Sequence, residues 1–177
     1  MYANILTKLK SILDSVAGIG KTYDRLRLTY DDQNNILLFN NSGIFHVWYL
    51  TRLNVESELF KGKSILRKHF FRLHGFYALD DANSSAKIFQ SLVDTVLNEF
   101  QEYLNINILT NSRLIEVPER VEITEETLTN VLCHYCLIPM TVEETKAIER
   151  FYFKDWTDCE WILDDNELDK NQLDVGY

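Results

Sequence analysis

The chain has 177 residues and a mass of 20.8 kDa, with 46% hydrophobic and 25% charged residues, which suits one compact domain around a single core. Six glycines and two prolines exclude a collagen-like, low-complexity or loop-dominated protein. Eighteen Lys and Arg against 27 Asp and Glu leave a formal charge of −9, which argues against a protein that coats nucleic acid by bulk electrostatics.

From the N-terminus, Ile5, Leu6, Leu9, Ile12, Leu13 and Val16 recur at helical spacing and predict an amphipathic helix over 2–17. Lys8 and Lys10 interrupt what would be the apolar part of a signal peptide, and no run of about 18 apolar residues suggests a membrane span, so an intracellular protein is expected. Gly18 and Gly20 predict the helix stop, where positive φ is commonly needed.

Segments rich in aromatic and aliphatic residues then predict a strand meander over Tyr23–Tyr30, Ile36–Phe39, Ile44–Leu53 and Ile65–Tyr77. Turn-prone separators lie at Asp31–Asn35, Asn40–Gly43 and Lys61–Lys63, with Asn40–Gly43 the strongest hairpin signal. Phe45, Val47 and Tyr49 would lie on one face and His46, Trp48 and Leu50 on the other, so both faces of this sheet are expected to be covered.

Asp80–Ser84 reads as a helix start with capping side chains. Behind it, Phe89, Leu92, Val93, Val96, Leu97, Phe100 and Leu104 follow the i, i+3, i+4, i+7 rule. Arg113–Ile123 and Asn130–Met140 predict two further strands, Thr141 and Glu144 a capping box for a short helix toward Tyr152, and Pro118 and Pro139 strand ends or edges. Fold class is therefore α+β: a mostly antiparallel sheet with two main helices on one face, in the order α-β-β-β-β-α-β-β. The domain should span 1–153, followed by an acidic extended arm over 154–177. That arm holds eight acids and two bases, so −6 of the charge lies there and −3 in residues 1–153.

Chemistry is sparse. Gly18-Ile19-Gly20-Lys21-Thr22 lacks the first glycine of a phosphate-binding loop, which would fall at Ser15, and follows a helix rather than opening one. Cys133 and Cys136 have redox or zinc-pair spacing, but three positions apart on a strand they point to opposite faces; with Cys159 they are read as reduced thiols. His46, His69, His74 and His134 lie among aromatics on predicted strands, His69 and His74 facing opposite ways; an enzyme would need His69 or His134 to face an acid in a cleft. No catalytic, cofactor or metal residues are assigned.

Lys61, Lys63, Arg67, Lys68 and Arg72, interleaved with Phe70, Phe71, Phe76 and Tyr77, form the one basic aromatic stretch, without the motif of an RNA-stacking sheet. These five residues, with Trp156, Trp161, Asp164 and Asp165 of the acidic arm, are the candidate intersubunit contacts. A basic strand could receive a neighbour's arm or line a channel that DNA passes through.

Three stretches carry a family resemblance: the opening helix ending in Gly18-Ile19-Gly20-Lys21-Thr22-Tyr23-Asp24, the passage Lys68-His69-Phe70-Phe71-Arg72-Leu73-His74-Gly75-Phe76-Tyr77 through Ala78-Leu79-Asp80-Asp81-Ala82-Asn83, and the helix Phe89–Phe100. Over roughly residues 1–143 the chain resembles the tail-terminator and tail-completion (neck) proteins of long-tailed bacteriophages and gene transfer agents. The resemblance implies an α+β subunit of a ring, often a hexamer, that ends tail-tube polymerisation and meets the tail tube protein and the head-completion protein. It implies a virion protein assembled in the host cytoplasm, with no catalysis, cofactor or membrane contact. The acidic extension after about Thr145 departs from the family's compact pattern. Alternative expectations are a head-completion (stopper or connector) protein, or a cellular α+β adaptor whose acidic arm docks to a basic partner.

Overall fold

A computed structural model describes residues 2–26, 32–60 and 64–147. Helix α1 (Tyr2–Asp14) forms from the expected stripe, with Ile5, Leu9, Ile12, Leu13 and Val16 buried. The helix ends at Asp14, three residues short of the expected 17, and Gly18 lies in the turns beyond it at φ +78; Gly20 serves a different need, since a Cβ there would sit 2.4 Å from the His46 ring and carbonyl. Strand β1 (Lys21–Tyr23) follows and is shorter than the strand expected up to Tyr30, of which residues 27–30 lie outside the described set.

The segment expected as a turn and a strand over 31–39 is instead helix α2 (Asp32–Phe39). A four-residue apolar run cannot by itself distinguish the two. Tertiary packing decides, because Asn35 and Phe39, one helical turn apart, are both buried, and the Phe39 ring meets Tyr23 and Phe45 edge-on. The hairpin expected at Asn40–Gly43 forms: β2 (Asn40–Asn41) turns into β3 (Ile44–Phe60) through Ser42 and Gly43, both at positive φ, and Asn40 Oδ1 accepts from the Gly43 N–H at 2.7 Å.

Strand β4 (Ser64–Ala78) pairs along nearly all of β3, with a bulge in β3 between Arg52 and Val55. A 3₁₀ turn (Asp81–Asn83) leads to α3 (Ser85–Glu102), whose N-cap Ser84 makes no side-chain cap; the Asp80 backbone carbonyl instead accepts from the Asn83 and Ser85 N–H groups. Strand β5 (Asn107–Leu109) and β6 (Ser112–Glu116) form the next hairpin, and the strand expected over 113–123 breaks at Val117-Pro118 before β7 (Ile123–Leu128). Strand β8 (Val131–Ala147) then runs through the proposed capping box. Thr141 and Glu144 are paired with Phe70 and Arg67 on one side and with β6 on the other, and these two ladders override the local helix signal; the rest of that expected helix lies outside the described residues. Pro139 lies inside β8, not at its end, in the interval where β7 has stopped pairing and β6 has not begun.

The architecture is α+β: a curled, mostly antiparallel sheet in the order β1-β3-β4-β8-β6-β5, with β2 added to β3 and β7 to β8, and β1–β3 the parallel pair. Helices α1 and α3 pack on one face, where Trp48, Leu73, Ile138 and Met140 meet Leu9, Phe89, Val93 and Phe100. The opposite face holds a smaller cluster of Phe39, Phe45, Val47, Tyr49, Phe76 and Cys133, so α2 covers the first strands from behind. As strand alternation required, Cys133 and Cys136 fall in different clusters. No described helix is long and apolar enough to cross a membrane.

Candidate interaction surface

Strands β3, β4 and β8 have 17, 15 and 17 residues, about three times the usual strand length. The first halves of β3 and β8 and the second half of β4 belong to the helix-covered core; their other ends form an arm of the sheet in which β8 is also flanked by β6. Along its outer edge β3 pairs with β2 up to Phe45 and with β1 up to Tyr49; from Leu50 onward no described strand lies beside it. Residues 52–54 and 56–59 are exposed there, including Leu53 at 51% and Leu59 at 68%. A strand end without a described strand neighbour and with exposed apolar side chains is a template for association.

The basic residues singled out above lie on this arm as far as the structure describes them. Arg67 is opposite Glu144, Lys68 is between Glu56 and Glu143, and exposed Arg72 is between Thr51 and Pro139. The β8 acids are bonded elsewhere, Glu143 to Arg113 at 2.6 Å and Glu144 to His69 at 2.8 Å. Lys61, Lys63, Trp156, Trp161, Asp164 and Asp165 lie outside the described residues.

The histidines separate by face. His69 Nε2 lies 2.8 Å from Glu144 Oε2, with the side chains 4% and 1% exposed, so this histidine faces an acid within the packed interior and not in a cleft. His69 Nδ1 and Glu144 Oε1 have no hydrogen-bond partner among the described residues. His134 Nε2 lies 2.8 Å from Ser85 Oγ, which also accepts from the Asp80 N–H, and the hydroxyl thereby ties the start of α3 to the sheet. His46 accepts from Trp48 Nε1–H at 2.8 Å, and burial lowers its pKa to about 4, which keeps the acceptor nitrogen unprotonated. On the other face, His74 is bracketed by Thr51 Oγ1 at 3.0 Å and Tyr135 OH at 2.9 Å and stacks on Tyr49; burial and then Arg72 lower its pKa to about 4. Burial raises the Cys133 and Cys136 thiols to about 12, which leaves them protonated and poorly nucleophilic. Among the described residues, no group of three or more His, Cys, Asp or Glu is placed to hold a metal ion.

A second surface feature was not singled out in the sequence. At the opposite end of β3 from the arm, two adjoining cavities of about 400 and 360 Å³ share Ile44, Tyr77 and Ile88 and form a groove between the β2–β3 hairpin and α3. Ile44 and Ile88 are 45% and 47% exposed. Its signal was present: Ile88 lies off the apolar stripe of α3, on the side of Ser91 and Thr95, which line the same groove. Compared with models of known protein families and with curated protein sequences, the chain matches none.

Proposed function

We propose that the protein is a structural subunit of a phage particle: a tail-terminator or neck protein that forms a ring at the head-proximal end of the tail, ends tube polymerisation and joins tail to head. The observation that carries this reading is the arm, where β3 has no strand neighbour on its outer edge from Leu50 onward among the described residues and exposed Leu53 and Leu59 sit beyond a two-sided core. A surface of that kind serves assembly rather than chemistry. Its resemblance to neck proteins over 1–143 supplies the location.

The ring would be homo-oligomeric, with six copies as the family's common number, and would contact the tail tube protein on one side and the head-completion protein on the other. DNA would pass through its lumen, and no cofactor, membrane or catalytic step enters the role. Electron microscopy of purified protein and of tail tubes incubated with it tests the proposal. Closed rings, and density at tube ends, are expected. A monomer at high concentration that leaves tube ends bare overturns it, and binding to connector-bearing heads alone transfers the protein to the stopper class.

A further inference from the structure

The groove between the β2–β3 hairpin and α3 holds two polar groups that the fold does not use. His46 and Tyr77, 4% and 8% exposed, both line it. Because the Trp48 Nε1–H donates to His46 Nε2, the proton of this neutral imidazole sits on Nδ1. Among the described residues neither that Nδ1–H nor the Tyr77 hydroxyl has a hydrogen-bond partner, and neither atom is fully enclosed. Gly20 leaves the imidazole uncovered, since a Cβ there would sit 2.7 Å from Nδ1. Polar groups on side chains this deeply buried are nearly always paired, and what pairs these two enters by the groove they line.

Shape and charge define that occupant. The groove follows α3 from Ser85 to Thr95, about 15 Å at ~1.5 Å per residue, which is the span of about four or five extended residues at ~3.3 Å each. Its two cavities meet at Ile44, Tyr77 and Ile88, so an exposed isoleucine stands on each wall at the middle. Asp80 lies at the Ser85 end and is the one charged side chain among the described lining residues. A phosphate or carboxylate therefore meets no counter-charge here, whereas a cation meets one. An extended aliphatic chain of amide acceptors with a basic end matches the whole set.

We propose that this groove binds a short extended peptide segment of a partner protein, with one backbone carbonyl on the His46 Nδ1–H, another on the Tyr77 hydroxyl, an aliphatic side chain between Ile44 and Ile88, and a Lys or Arg at Asp80. Main-chain acceptors supply the pairing, and the isoleucine walls and Asp80 supply the selectivity. The inference goes beyond the ring reading and does not depend on it.

Selection of a display library of random heptapeptides on the full-length protein tests it, followed by NMR titration of the enriched sequences as blocked synthetic peptides. Enriched sequences should pair Ile, Leu or Val with Lys or Arg, and their peptides should shift the amide resonances of Ile44, Tyr77 and Ile88. Tyr77→Phe removes only the hydroxyl and should weaken binding roughly three- to tenfold with the thermal melt unchanged. Ile88→Ser, at an exposed position, should weaken it about tenfold. Asp80→Asn should abolish the preference for a basic residue and keep that for an aliphatic one. No enriched sequence, an acidic consensus, shifts confined to other regions, or affinity that survives both Tyr77→Phe and Ile88→Ser overturns the proposal. If the same amides shift with protein concentration in the absence of peptide, a second copy fills the groove and the peptide site is refuted.

Discussion

Gly75 offers a direct test of the packing at the centre of the sheet. It lies in β4, flanked by Trp48 on β3 and Cys136 on β8, and a Cβ at this position would sit 2.5 to 2.8 Å from three carbons of the Trp48 ring. Trp48 is fully buried between the sheet and Phe89 and is held by its bond to His46, so the ring has no room to withdraw. In an unconstrained strand, Gly→Ala should gain about 0.5–1 kcal/mol by restricting the unfolded chain. Here overpacking opposes that gain at about 1–3 kcal/mol, so Gly75→Ala should be net destabilising by roughly 1–2 kcal/mol. At about 2–4 °C per kcal/mol for a chain of this size, the melting temperature should fall by about 2–8 °C. Urea denaturation followed by tryptophan fluorescence measures it, and a Trp48→Leu background should remove most of the Gly75→Ala penalty as a coupling energy. A Gly75→Ala protein as stable as wild type, or an equal penalty in both backgrounds, would refute the close approach as the reason for glycine.

Two further predictions concern the buried titratable groups. Replacing either His69 or Glu144 alone by leucine should cost about 3–5 kcal/mol, because it strands one buried polar partner, whereas the double replacement should cost less than the sum; urea titrations of the three variants give the cycle. His46 and His74, held near 4 against an ordinary 6.5, are unprotonated in the folded chain but protonated in the unfolded one between those values. Stability should therefore be full above about pH 6.5 and fall as pH drops toward 4, and His74→Gln should flatten that part of the profile in thermal melts at fixed ionic strength.

Elements whose own residues outvote their surroundings were legible in advance. The stripes of α1 and α3 each present more than 10 residues of one period, and Asn40–Gly43 combines turn-tolerant residues with apolar flanks, so each specifies its conformation locally. Opposite facing of Cys133 and Cys136, and of His69 and His74, likewise follows from strand alternation once the strands are right. Misjudged segments were those in which local and distant forces disagree. Residues 36–39 are short and apolar, and α2 wins because Phe39 fills the space beside Tyr23 and Phe45. Thr141–Glu144 has a capping pattern, yet ladders to β4 and β6 satisfy its backbone more completely than a helix end could.

The candidate surfaces divide in the same way. Patterning and charge in the chain alone determined an α+β domain, its two main helices and a basic stretch at 61–72 within an acidic protein, because these depend on spacing and composition. Only the tertiary structure decided that β3, β4 and β8 run on together past the helix-covered core, that the outer edge of β3 has no strand neighbour from Leu50 onward among the described residues, and that Ile44 and Ile88 meet in a groove next to Asp80. Those facts depend on register, on where a strand's partners stop, and on which residues 44 positions apart come together. No local pattern encodes these, because each is settled by the packing of the whole sheet.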